Sequence, residues 1–187
     1  MQLTHLTAAD YRRMPWKNGG GTTTELMIEP SDAALGYDWR LSIAEVAQSG
    51  PFSDFTGYDR TTMLVEGAGF TLAFPQQPAQ HFSRTFEPFR FSGESPCDCT
   101  LIDGPVRDFN LIARRGLTAI LDVLRLVPGE ESVAAAPITV LHLFRGQIAA
   151  CGRDLAAGDT LRIDGAVGRP RITATRPSIL AVIRIGG

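Results

Sequence analysis

Short stretches of alternating polar and apolar residues, each closed by glycine or proline, recur along almost the whole chain and restrict what it can fold into. In Tyr37 to Val46 (YDWRLSIAEV), Trp39, Leu41 and Ile43 fall on one face and Asp38, Arg40 and Ser42 on the other. That period of two predicts a strand. Asp59 to Glu66, the turn Gly67-Ala68-Gly69 and Phe70 to Phe74 read as a hairpin, and Pro75 to Pro78 should break the run. Phe82 to Phe91 carries alternating aromatics, Cys97 to Ile102 is a short strand, and Val106 to Arg115 (VRDFNLIARR) is a polar one. Ile138 to Arg145, Ile148 to Cys151, Leu155 to Ile163 and Ser178 to Ile185 follow with tight turns. Two regions are less regular. Thr7-Ala8-Ala9-Asp10 has the form of a helix N-cap, predicting a helical turn or two within Thr7 to Met14. Leu117 to Val127 has helical spacing but is closed by glycine and proline at its ends; its length suits a helix or a strand, and the surrounding β pattern favours a strand. Thr62 to Gly67 and Val140 to Gly146 each give an apolar strand, a glycine turn and a second apolar strand, which suggests two β modules. Many short strands with such turns imply an all-β barrel or sandwich.

Composition narrows the classes of function. At 187 residues the chain can bury a substantial core as one domain or two small ones. A formal charge of −2 offers no basic stripe for nucleic acid or a membrane surface. No apolar run reaches spanning length, and the N-terminus lacks the basic and apolar regions of a signal peptide. Three cysteines, two of them one residue apart, point to a reduced, cytoplasmic setting.

One segment stands out chemically. Met14 to Leu26 reads MPWKNGGGTTTEL, and in it lie the chain's sole lysine, Lys17, and one of its two asparagines, Asn18. Three glycines allow positive φ or close approach of backbone to a ligand. A phosphate loop would carry its lysine after the last glycine, at a helix start. Here Lys17 precedes the glycines and a strand follows, so the segment reads as a structural bend that presents Lys17 and Asn18.

MPWKNGGGTTTEL, YDWRLSIAEVAQSGPFSDFTGYDRT and LIDGPVRDFNLIARRG, in that order, resemble the HutD family, which includes the Ves proteins. The resemblance covers most of the first 116 residues and is looser beyond. It implies an all-β, cupin-like bicupin with little helix: one unit over 1–187, with modules near 1–116 and 117–187 that exchange strands. It also implies a bacterial, cytoplasmic protein associated with histidine-utilisation genes, with no established reaction.

Most cupins hold a metal through a His-x-His pair, an acid and a further histidine. His5, His81 and His142 have no such spacing, and Cys97-Asp98-Cys99 is no metal motif, so neither a metal nor another cofactor is expected. His142, within an apolar strand, reads as a hydrogen-bonded core residue. There is no G-x-S-x-G and no nucleophile beside a histidine. Arg60, after an aromatic loop, could pair with Lys17 to clamp a carboxylate. Asn18, Ser42 and Asn110 could add neutral hydrogen bonds, and Trp16 or Trp39 could wall the pocket. Arg40 and Ser42 could equally form a solvated strand face. Asp108 reads as a partner of Arg107 or Arg114. The expected ligand-binding set is therefore Lys17, Asn18, Arg40, Ser42, Arg60 and Asn110. The expected function is metal-independent binding of a small carboxylate such as urocanate or N-formylglutamate, to sense or modulate histidine catabolism. An isomerase or hydrolase using Lys17 with Glu25 or Glu45 is the alternative, as is a regulator that binds protein alone. A homodimer remains open.

Overall fold

The structure, a computed structural model, describes residues 1–166 and 168–186. Among the described residues it is built of strands and turns without helix. In chain order the first strands are β1 (Gln2–Leu6), β2 (Arg12–Pro15), β3 (Gly21–Pro30), β4 (Tyr37–Val46) and β5 (Gly50–Pro51). Next come β6 (Tyr58–Glu66), β7 (Phe70–Phe74), β8 (Gln77–Phe82), β9 (Phe89–Ser92), β10 (Asp98–Leu101) and β11 (Val106–Arg114). The remainder are β12 (Thr118–Leu126), β13 (Gly129–Ser132), β14 (Ile138–Arg145), β15 (Gln147–Ala150), β16 (Arg153–Ala156), β17 (Thr160–Asp164), β18 (Arg171–Ala174) and β19 (Ser178–Gly186). No helix among the described residues is long and apolar enough to cross a membrane.

These strands form two compact units. One comprises Tyr11–Arg115 and the other Met1–Asp10 with Gly116–Gly187. In the first, a six-stranded sheet of order β2-β3-β4-β11-β6-β9 accompanies a four-stranded sheet of order β5-β10-β7-β8. Its core is aromatic at one end: Phe70 stacks on Phe82 at 4.3 Å, and Phe91 meets Phe74 edge-on at 5.6 Å. Ala44, Val46, Leu64, Leu72, Cys97, Cys99 and Val106 fill the spaces around them. In the second, β1-β17-β14-β19-β12 accompanies β13-β18-β15-β16. That interior is packed with aliphatic side chains, among them Leu141, Leu143, Ile148, Leu155, Leu161, Ile163, Ile172 and Leu180. β1 pairs along its whole length with β17, so the chain's first strand completes a sheet made otherwise from its last part.

Three local expectations are corrected or decided. The Thr7–Asp10 cap forms, with the Asp10 carboxylate accepting from the Thr7 amide at 2.8 Å and from its hydroxyl at 3.0 Å. It closes a turn rather than opening a helix, because the next residues pair as β2 with β3. Pro78 does not break the hairpin: β8 is an edge strand, and Pro78 falls at its register shift opposite β7. An edge bulge is where a missing N–H does least harm. Within residues 117–127, Thr118–Leu126 form a strand, β12, with Ala119 and Leu121 buried and Ile120 exposed.

Candidate functional site

The unit Tyr11–Arg115 contains a cavity of about 440 Å³. Its floor is the inward face of three adjacent strands, and their register fixes what lies side by side. Arg40 of β4, Ile112 of β11 and Arg60 of β6 form one row across the sheet. Ser42, Asn110 and Thr62 form the next, and Ala44, Asp108 and Leu64 the third. The walls come from the β2–β3 turn, with Trp16, Lys17, Asn18 and Gly20, and from residues 48–55, which include β5.

The β2–β3 turn explains its glycines without a ligand. The Trp16 amide donates to Gly21 O at 2.9 Å, closing a hairpin over Lys17 to Gly20. Gly19 has φ of +72°, and a Cβ on Gly21 would lie 2.3 Å from the Glu45 carbonyl oxygen. The Asn18 side-chain oxygen accepts from the Gly20 amide at 3.0 Å, so Asn18 is half spent on the turn. Trp16 donates its indole N–H to the Thr23 hydroxyl at 2.8 Å, which fixes the ring on the cavity wall.

Arg60 is the central charge. It is 6% exposed, and its guanidinium carbon lies 4.7, 5.0 and 5.2 Å from the ring centres of Phe52, Phe55 and Phe91. Such cation–π contacts stabilise a desolvated cation by about 2 kcal/mol or more. It donates through Nη2 to Asn110 Oδ1 at 3.0 Å and more weakly through Nη1 to the Ser53 carbonyl at 3.4 Å. Asn110 Nδ2 in turn donates to Asp108 Oδ2 at 2.7 Å, and the Thr62 hydroxyl reaches the same oxygen at 3.0 Å. Burial lowers the Arg60 pKa against the opposing pull of Asp108, yet a guanidinium starts so high that it stays cationic. Burial raises that of Asp108, with Asn110, the Arg60 charge and Thr62 acting in opposition. Three buried polar atoms of the lining residues have no hydrogen-bond partner among the described residues: Arg40 Nε, Arg60 Nε and Asp108 Oδ1.

All six residues expected to bind ligand line this cavity. They differ in state. Arg60, Ser42 and Asn110 are buried, Arg40 is half-buried, and Lys17 and Asn18 are exposed at the rim. Asn110 spends its amide on bridging Arg60 to Asp108, so it positions those groups. The Arg40–Ser42 face faces the cavity, while the Trp39 side of β4 does not line it, so of the two tryptophans only Trp16 contributes to its wall. Glu25 and Glu45 do not line the cavity either, and Glu45 pairs with Arg13 at 2.7 Å. The Lys17–glutamate acid–base pair is therefore not assembled. Asp108 is the residue the sequence reading missed: Arg107 pairs with Glu66 at 3.2 Å and Arg114 with Asp38 at 2.8 Å. Its signal was the alternation of Asp108, Asn110 and Ile112 in phase with Val106, which puts two polar side chains on an inward face.

The other titratable candidates lie elsewhere or are inert. His5 contacts Asp159 at 3.1 Å, His81 contacts Thr71 at 2.9 Å and His142 contacts Thr160 at 2.9 Å, so no two histidines share a site. Cys99 lines the cavity, but burial pushes its thiol up to about 12, far from a reactive thiolate.

Paired sheets of short antiparallel strands around an open interior are the architecture of cupin-like proteins. Oxalate decarboxylase from Lactobacillus farciminis has this fold, superposing with a TM-score of 0.70 at 8% identity over 96% of this chain and 85% of that one. The sequence profile of the HutD family matches residues 8–181, and the chain belongs to that family. It is thus a cupin-like protein of the family associated with histidine utilisation. An uncharacterised 21.2 kDa protein of the hutC 3′ region of Pseudomonas putida is 48% identical over 111 residues, 59% of this chain and 58% of that protein. Protein Ves of Citrobacter koseri is 37% identical over 110 residues, 57% of this chain and 56% of that one. The aligned stretch thus spans less than two thirds of these curated relatives. Two solved structures match over the full length of both chains. A conserved protein of unknown function from Pseudomonas aeruginosa PAO1 gives a TM-score of 0.89 at 39% identity. HutD from Pseudomonas fluorescens SBW25, in a formate condition, gives 0.86 at 33%.

Proposed function

We propose that this protein binds a small carboxylate in the cavity of Tyr11–Arg115 and through that binding senses or modulates histidine catabolism. One observation carries the reading. Arg60 and Arg40 line a single cavity, each with an unpartnered buried Nε, and neither makes an ion pair among the described residues. Their charges repel, so an anion between them relieves both the repulsion and the missing hydrogen bonds. Lys17 at the rim adds a third cation against the single carboxylate of Asp108, which leaves the cavity with cations in excess. Urocanate and N-formylglutamate are the candidates that the family association favours. The related HutD structure in a formate condition fits the same chemistry, formate being the smallest carboxylate.

Thermal unfolding in the presence of formate, urocanate and N-formyl-L-glutamate tests this. A true ligand at a hundred times its Kd stabilises by about 2.7 kcal/mol. Lys17→Ala and Arg40→Ala should leave the unliganded melting temperature close to that of the parent and weaken or abolish the ligand shift. The proposal fails if none of the three compounds raises the melting temperature, or if both variants respond like the parent.

A further inference from the structure

We propose that Asp108 Oδ1 accepts a hydrogen bond from an N–H group of the ligand, so that Asp108 selects carboxylates that carry an N–H donor over those that do not. This rests on the carboxylate reading of the cavity and adds a second recognition point to it. The two oxygens of Asp108 are in different states. Oδ2 already accepts from Asn110 at 2.7 Å and from Thr62 at 3.0 Å, while Oδ1 accepts from no described group. The residue lines the cavity and is 1% exposed. A buried acceptor without a donor is destabilising, and a ligand that supplies the donor recovers that loss.

The register shows why the protein does not supply one. Asp108 stands opposite Ala44 on β4 and Leu64 on β6, so its flanking side chains on both neighbouring strands are apolar. The nearby titratable and charged groups are few. Arg60 is linked to Asp108 by hydrogen bonds through Asn110 and acts on it by its charge, and Cys99 on β10 faces it as a neutral thiol whose pKa is pushed up to about 12. A cationic anchor and an unpaired acceptor are thus separated by one asparagine amide. That spacing suits a compact molecule with a carboxylate and an N–H on a short frame: an N-acyl amino acid or an azole carboxylate.

The Asp108→Asn variant inverts this point. Asn110 and Thr62 donate to the oxygen at the Oδ2 position, so the new amide must turn its oxygen towards them and place its NH2 where Oδ1 was. The experiment is calorimetric titration of the full chain with two isosteric carboxylates, urocanate and 3-(3-furyl)acrylate, which lacks the ring N–H. The parent should prefer urocanate by about tenfold or more, as expected when a buried acceptor is left empty. In Asp108→Asn the preference should fall to about twofold or reverse. Equal binding of the two compounds by the parent, or an unchanged preference in the variant, overturns the proposal. Failure of the parent to bind either compound, N-formyl-L-glutamate or formate overturns the carboxylate reading itself, a separately recognisable result.

A second measurement needs no variant. On acidification the proton must enter at Oδ1, the oxygen without donors, and turns the acceptor into a donor. The parent's preference for N-formyl-L-glutamate over its N-methyl derivative should then decline as pH falls. A preference independent of pH down to the onset of acid unfolding counts against Asp108.

Discussion

Asp108 and Arg60 are both buried and make no ion pair with each other among the described residues; Asn110 hydrogen-bonds to both. Such a relay leaves the carboxylate poorly compensated, which is why burial dominates and raises its pKa. The sign of the linkage follows. A carboxyl whose folded pKa lies above its unfolded value of about 3.9 binds more protons in the folded state between the two. Its contribution to stability is fully present below the unfolded value and is lost as pH rises through the folded one. Removing the ionisable group should remove that loss. The unfolding free energy of Asp108→Asn relative to the parent should therefore increase with pH across the window that starts at about 3.9, then level off. Urea titrations at a series of pH values measure it, and a difference independent of pH refutes it. The sequence alone could name Arg40, Ser42 and Asn110 because polar residues at alternate positions are visible in a strand, and Arg60 because it follows an aromatic loop. It could not show which face of β4 turns inward, since a barrel that hosts a polar cavity inverts the usual rule that the polar face meets water. Asp108 was lost for that reason: beside two arginines, it reads as one half of a surface ion pair.

Turns and edges are where single elements are decided. Gly19 and Gly21 do different work within one hairpin. Gly19 has positive φ and open space, so Gly19→Ala should cost only about 1–2 kcal/mol of backbone strain. At Gly21 a Cβ would meet both the Glu45 carbonyl oxygen at 2.3 Å and the Trp16 ring at 3.0 Å. Gly21→Ala should therefore separate β3 from β4, at a cost of about 1–3 kcal/mol or more, and loosen the Trp16 wall. Equilibrium unfolding combined with Trp16 fluorescence tests the pair; equal and small costs at both positions would show that the strands adjust freely. Most strands could be read from their alternation and punctuation. The exceptions were local signals with two uses. Thr7 and Asp10 form the same hydrogen bonds in a turn as in a helix cap, and only pairing of Arg12–Pro15 with β3 decides between them. Pro78 reads as a break unless it is known to lie on an edge.

At the scale of the molecule, two units of similar strand composition have used their interiors differently. In one, aliphatic side chains fill the space between the sheets; in the other, charge and aromatic rings surround an open volume. Their dependence on chain order differs as well. The unit Tyr11–Arg115 is continuous in sequence, whereas the other needs residues from both sides of it. Deleting residues 1–7 should expose the β17 edge and speed amide hydrogen exchange in β14 and β17 by about tenfold or more, while β4, β6 and β11 retain their protection. Uniform loss of protection across both sets would contradict this. The pairing of β1 with β17 also sets a timetable for synthesis. β1 must wait, unpaired, until β17 has been made, while every strand that builds the cavity is made between them. A nascent chain released just after Arg115 would carry every residue that lines the cavity, and a solitary edge with no sheet to join.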